Sequence, residues 1–100
     1  MSYEDKKLGP YSHAEPDTSI AVGQRVRSYD FPDDRDDSYV EGVVEEITER
    51  IEGCSRYRIR VERRVRNGVE CEVGQDTVIP PVNGTPTWFG RVTNGVVRIA

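Results

Sequence analysis

Four aromatic side chains and a run of aspartates are the residues of this sequence whose types and spacing best suit chemistry. Tyr29 and Phe31 precede, and Tyr39 follows, a stretch that holds Asp33, Asp34, Asp36 and Asp37, with Asp30 between the first two rings. Trp88 follows a second Pro-rich stretch, Pro80 to Pro86. Rings beside carboxylates attract basic, methylated-lysine or Pro-rich segments through stacking and cation–π contacts. The candidate ligand groove is therefore Tyr29, Phe31, Asp33, Asp34, Asp36, Asp37, Tyr39 and Trp88, and the expected ligand is a basic or Pro-rich segment of another protein. The competing reading is that Tyr39 and Trp88 cap the core. Carboxylates also cluster at calcium sites, but the alternating Asp-x-Asp-x-Asp-Gly spacing is absent, so no metal is expected.

A second candidate surface is the row Arg56, Arg58, Arg60 and Arg64, which puts positive charge along one strand face. Phosphate binding needs such a face, and base stacking needs aromatics beside it. Tyr57 is adjacent and points the other way. Nucleic-acid binding is thus the alternative function. The bland reading is that these arginines pair with Glu41, Glu45, Glu49, Glu70 and Glu72 on neighbouring strands.

The remaining reactive side chains suggest no catalysis. His13 is the single histidine and has no Ser or Cys placed to use it. Cys54 and Cys71 form no Cys-x-x-Cys pair, so they are expected as free thiols in a reducing, cytoplasmic setting, without zinc. The start, Met1 to Pro10, lacks the apolar stretch of a signal peptide, and no apolar run approaches the ~18 residues of a membrane span. No cofactor fingerprint is present, and a non-enzymatic role with no cofactor is expected. The net charge of −4 argues against a general nucleic-acid sponge. That charge is divided: residues 1–53 carry net −8 and residues 54–100 net +4, which suits pairing between strands.

One hundred residues are enough for a single core. Residues 1–19 show no period and read as a flexible or loosely docked lead, with Tyr3, Leu8 and Tyr11 as its only docking groups. Residues 20–100 read as one domain. Gln24 to Asp30 suits a first strand, and Phe31 to Ser38 a loop. Residues 39–51 fit both helix and strand: Val40, Val43, Val44, Ile47 and Ile51 follow helical spacing, while Gly42 and the β-branched residues oppose it. A strand is favoured and the helix stays open. Residues 56–65 alternate apolar and charged, with Arg63 the inward exception. A three-residue loop with Gly68 at positive φ would place Val65 opposite Val69, Val61 opposite Val73 and Arg64 opposite Glu70, and would hold Cys71 far from Cys54. Thr77 to Ile79 reads as a short strand. Thr87 to Val92 and Val96 to Ile99 read as a terminal hairpin around Asn94-Gly95.

The run Val22-Gly23-Gln24-Arg25-Val26-Arg27-Ser28-Tyr29-Asp30, followed by Tyr39-Val40-Glu41-Gly42-Val43-Val44-Glu45-Glu46-Ile47, resembles the opening of SH3-like small barrels, particularly Tudor-type domains. That resemblance covers roughly residues 20–80. It implies that Tyr29, Phe31 and Tyr39 stand where Tudor domains place part of an aromatic cage. The third strand departs from the pattern, since it lacks the aromatic-Asp-Tyr-Gly ending and Val61 to Val65 offers no cage wall. The chain also resembles short uncharacterised proteins of tailed marine phages, which implies an accessory or structural role in a host cytoplasm. The expected fold is all-β, an SH3-like partly open small barrel of five to seven short strands. The expected function is a non-catalytic protein-binding or scaffolding module, with self-association also open and no membrane partner.

Overall fold

A computed structural model describes residues 16–29, 37–49, 55–86 and 92–99. The described residues form six strands and no helix: β1 (Arg25–Tyr29), β2 (Tyr39–Glu49), β3 (Ser55–Arg66), β4 (Val69–Cys71), β5 (Thr77–Val78) and β6 (Val96–Arg98). All pairings are antiparallel, in the order β4-β3-β2-β1-β6, with β5 also on β3. The protein is all-β, and its sheet does not close into a barrel. One face buries Ile20, Val26, Val44, Tyr57, Ile59 and Val96, with Val78 and Val82 against them.

The ambiguous stretch after Ser38 is a strand, and it pairs with β3 over most of its length. Its inward residues are Val40, Gly42 and Val44, which lie on the opposite parity to Tyr39 and Val43. Two β-bulges interrupt the ladder. Glu41 pairs with Arg63 and Gly42 with Val61, so Glu62 is an extra residue on β3; Val44 pairs with Ile59 and Glu46 with Arg58, so Glu45 is an extra residue on β2. Each extra residue exchanges inside for outside. Past Glu62, Arg64 shares the inner face with Val40, while Arg63 and Val65 turn to the outer face with Glu41 and Tyr39. Gly42 sits at the first bulge because a Cβ there would overlap the Arg60 carbonyl oxygen and stand 2.8 Å from its carbon.

The expected hairpin register is corrected. Arg66 pairs with Val69, Val65 with Glu70 and Arg64 with Cys71. Asn67 (φ 53°) and Gly68 (φ 78°) both occupy the left-handed region, as a two-residue type I′ turn requires, and that turn matches the twist of its strands. The positive φ of Gly68 is as expected. Matching apolar with apolar led elsewhere because it assumed one inward parity throughout β3, and the Glu62 bulge reverses it. Val73 never reaches Val61, whose N–H instead donates to the Asp76 carbonyl at 2.9 Å.

The expected terminal hairpin falls largely outside the described residues, since residues 87–91 are not among them; of its described part, Val92 makes an isolated bridge to Pro86, and β6 pairs with β1. Asn83 explains why β6 sits there. Its side chain, 3% exposed, behaves as a strand residue: Nδ2 donates to the Val96 carbonyl at 2.7 Å, and Oδ1 accepts from the Val96 N–H at 3.2 Å. Asn83 thus spans part of the gap between β6 and the segment that continues β5 along β3, where Tyr57 N–H donates to the Pro80 carbonyl and Val82 N–H to the Ser55 carbonyl. The same side chain reaches residue 17, donating to its carbonyl at 3.0 Å. Asn83 is therefore a buried structural peg.

Candidate binding groove

The register of β1 and β2 places Tyr29 directly opposite Tyr39. Their rings meet edge to face, with centroids 5.7 Å apart and an interplanar angle of 71°. The chain's own cations already lie on them. The Arg27 guanidinium is 4.1 Å from the Tyr39 centroid and 6.0 Å from that of Tyr29, and Arg63 is 6.0 Å from Tyr39. Glu41 holds both arginines: Arg27 Nε donates to it at 2.8 Å and Arg63 Nη1 at 3.3 Å, while Arg63 Nε also donates to Glu70 at 2.9 Å.

Burial alone would raise the Glu41 carboxyl, but the hydrogen bonds and charges of Arg27 and Arg63 outweigh it and hold the group below its ordinary value. Burial likewise pulls the Arg27 guanidinium down, and its bonds to Tyr29 and Glu41 reverse the balance and raise it. Sequence reasoning missed Arg27. The available signal was its position two residues before Tyr29, on the same strand face.

The other expected groove residues divide in two. Phe31, Asp33, Asp34, Asp36 and Trp88 lie outside the described residues, as does Cys54. Asp37 serves the β3–β4 turn: its carbonyl accepts from the Gly68 N–H at 2.8 Å, beside Ser38, whose Oγ accepts from the Asn67 N–H at 3.0 Å.

The arginine row is likewise split. Arg58 lies against Glu45 and Glu46, and Arg60 against Glu45 and Glu62. Arg64 turns inward and pairs with Asp76 at 2.5 Å. Its expected partner, Glu70, is taken by Arg63 instead. Arg56 has no carboxylate partner among the described residues, and its Nη1 donates to the Ile79 carbonyl at 2.8 Å.

Two of these arginines help to line an open groove of about 260 Å³ on the inner side of the sheet. Its floor is Ser28, Val40 and Arg64, a row paired across β1, β2 and β3. Its walls are Tyr29, Arg56 and the segment Val78, Ile79, Pro80 and Pro81. The prolines leave this sheet edge short of N–H donors, and Ile79 is 49% exposed. The volume lies just below the usual range for small-molecule pockets, so the groove fits one or two side chains better than a cofactor.

Among the described residues, no group of three or more His, Cys, Asp or Glu side chains is placed to hold a metal ion, and no helix is long and apolar enough to cross a membrane. Cys71 is a free thiol at the end of β4. The chain matches no protein-family model, no curated protein and no solved structure.

Proposed function

We propose that this protein is a non-catalytic binding module of the cytoplasm, an SH3-like small domain that seats a Pro-rich or apolar segment of a partner protein in the groove between Tyr29 and Pro81. The observation that carries this reading is the groove itself: an exposed Ile79 and paired prolines stand with Tyr29 around a floor of Ser28, Val40 and Arg64. Aromatic-lined grooves favour Pro-rich segments because those segments lose little entropy on binding. The basic half of the sequence expectation has less support. Arg27 and Arg63 lie on the Tyr29–Tyr39 pair, and Arg56 and Arg64 border the groove, so a basic segment would meet like charge. Nucleic-acid binding has less support too, because Arg58, Arg60 and Arg64 each hold a carboxylate that a phosphate would have to displace.

The test is selection from a random linear-peptide library, with Ile79→Glu protein as the counter-selection. Ile79 is half exposed, so this variant should fold. Peptides rich in Pro and apolar residues should be enriched, should lose binding to Ile79→Glu, and should shift the amide resonances of Tyr29, Val40 and Val78. Failure to enrich any peptide, or shifts confined to the outer face around Arg27 and Arg63, would reject the groove.

A further inference from the structure

We infer that the segment bound in this groove is acidic, with an Asp or Glu side chain received by Arg56; this rests on the binding-module reading above. The argument is charge complementarity at one residue. Of the described arginines, Arg25, Arg27, Arg58, Arg60, Arg63, Arg64 and Arg98 each contact a carboxylate. Among the described residues Arg56 and Arg66 contact none, and Arg66 does not line the groove. Arg56 is therefore the groove's one cation whose charge the described carboxylates leave unanswered.

Its guanidinium is also oriented. The bond from Nη1 to the Ile79 carbonyl fixes one side of the planar group against the groove wall. A guanidinium carries five N–H donors in a fixed fork, so donors remain for an incoming carboxylate. The neighbouring walls, Ile79, Pro80 and Pro81, are apolar. A carboxylate entering such surroundings needs a cation to offset its lost hydration, and a cation there favours a carboxylate over an amide of the same shape. Arg64 offers less, because Asp76 already sits 2.5 Å from it.

The experiment uses the full chain, peptides selected on it as above, and their Asp→Asn or Glu→Gln analogues. Selected peptides should share one acidic position. Its amide analogue should bind the wild-type protein about tenfold more weakly, the scale of one charge-assisted hydrogen bond. Arg56→Gln removes the charge and keeps an N–H donor for the Ile79 carbonyl, so its thermal midpoint should stay near that of wild type. On this variant, acidic peptide and amide analogue should bind equally. The peptide-side comparison needs no variant, so a destabilised Arg56→Gln does not spoil the test. Peptides that bind in the groove without an acidic preference, or with a basic one, would overturn the inference and leave the binding module standing. Displacement of groove-bound peptide by a single-stranded oligonucleotide would overturn it in favour of phosphate. Absence of any groove-binding peptide would overturn both.

Discussion

Glu41 holds two of the outer-face arginines, Arg27 and Arg63. It is 14% exposed and meets a guanidinium on each side, so losing its charge would leave Arg27 without a carboxylate among the described residues, while Arg63 would keep Glu70. Its carboxyl lies below the ordinary 4.5, which means that the folded protein binds that proton less readily than the unfolded chain. The resulting stabilisation is fully present above pH 4.5 and is lost as pH falls below it. Glu41→Gln lacks this contribution. The gap in thermal midpoint between wild type and Glu41→Gln should be widest near neutrality and should narrow as pH drops below 4.5; a constant gap would show that the carboxylate charge is immaterial. Asn83 is the corresponding residue on the inner side. Asn83→Ala would leave the Val96 N–H, the Val96 carbonyl and the residue 17 carbonyl without their partner, at a cost of ~3 kcal/mol in urea unfolding. Asn83→Asp should be no better, since it would aim an oxygen at two carbonyl oxygens.

The strands owe their geometry to the bulges at Glu62 and Glu45, and the first of these depends on Gly42. Gly42→Ala would drive a methyl into the Arg60 backbone and should destabilise the fold by ~3 kcal/mol. Gly74→Ala, where a methyl meets nothing within 4 Å, should change stability by less than ~0.5 kcal/mol. Equal effects would mean that β2 and β3 do not approach closely at Gly42. This pair also shows where sequence reading stops. Alternation from Tyr57 to Val61 gave the core face of β3 correctly, because period-2 burial is a local property. It failed at Arg63 and Arg64, because an extra residue in a ladder leaves no mark in composition or spacing, although Val65 is buried as its apolar type suggests. Gly42 was visible as a residue that suits no helix, yet its reason for being there lies on another strand. The candidate site divides along the same line. Tyr29 and Tyr39 were legible as a pair flanking one loop. Pro80 and Pro81 became site residues only through pairings across the sheet, which sequence adjacency does not encode.

At the scale of the whole molecule, a sheet that does not close leaves two edges to be tied by other means. Asn83 ties one side, and the segment before β1 supplies a second fastening. Asp17 Oδ2 accepts from Arg98 Nε at 2.7 Å, its other carboxylate oxygen accepts from the N–H and hydroxyl of Ser19, and those Ser19 bonds, ahead of Arg98, hold its carboxyl below 3.8. Ile20, three residues on, is 5% exposed within the core. The energetic boundary of the domain should therefore fall between residues 16 and 20. An exposed ion pair such as Asp17–Arg98 contributes less than ~1 kcal/mol, whereas removing a buried Ile side chain costs ~2–5 kcal/mol. A truncation series separates the two. Removing residues 1–15 takes away few apolar anchors and should change the free energy of urea unfolding by less than ~1 kcal/mol. Removing residues 1–20 should cost ~3–5 kcal/mol, because Ile20 and the Asp17 clasp go together. Ile20→Ala in the full chain should account for most of that loss. If deleting residues 1–15 instead collapses the fold, then Tyr3, Leu8 or Tyr11 belongs to the core, and the sheet is closed by a segment that its pairing alone does not reveal.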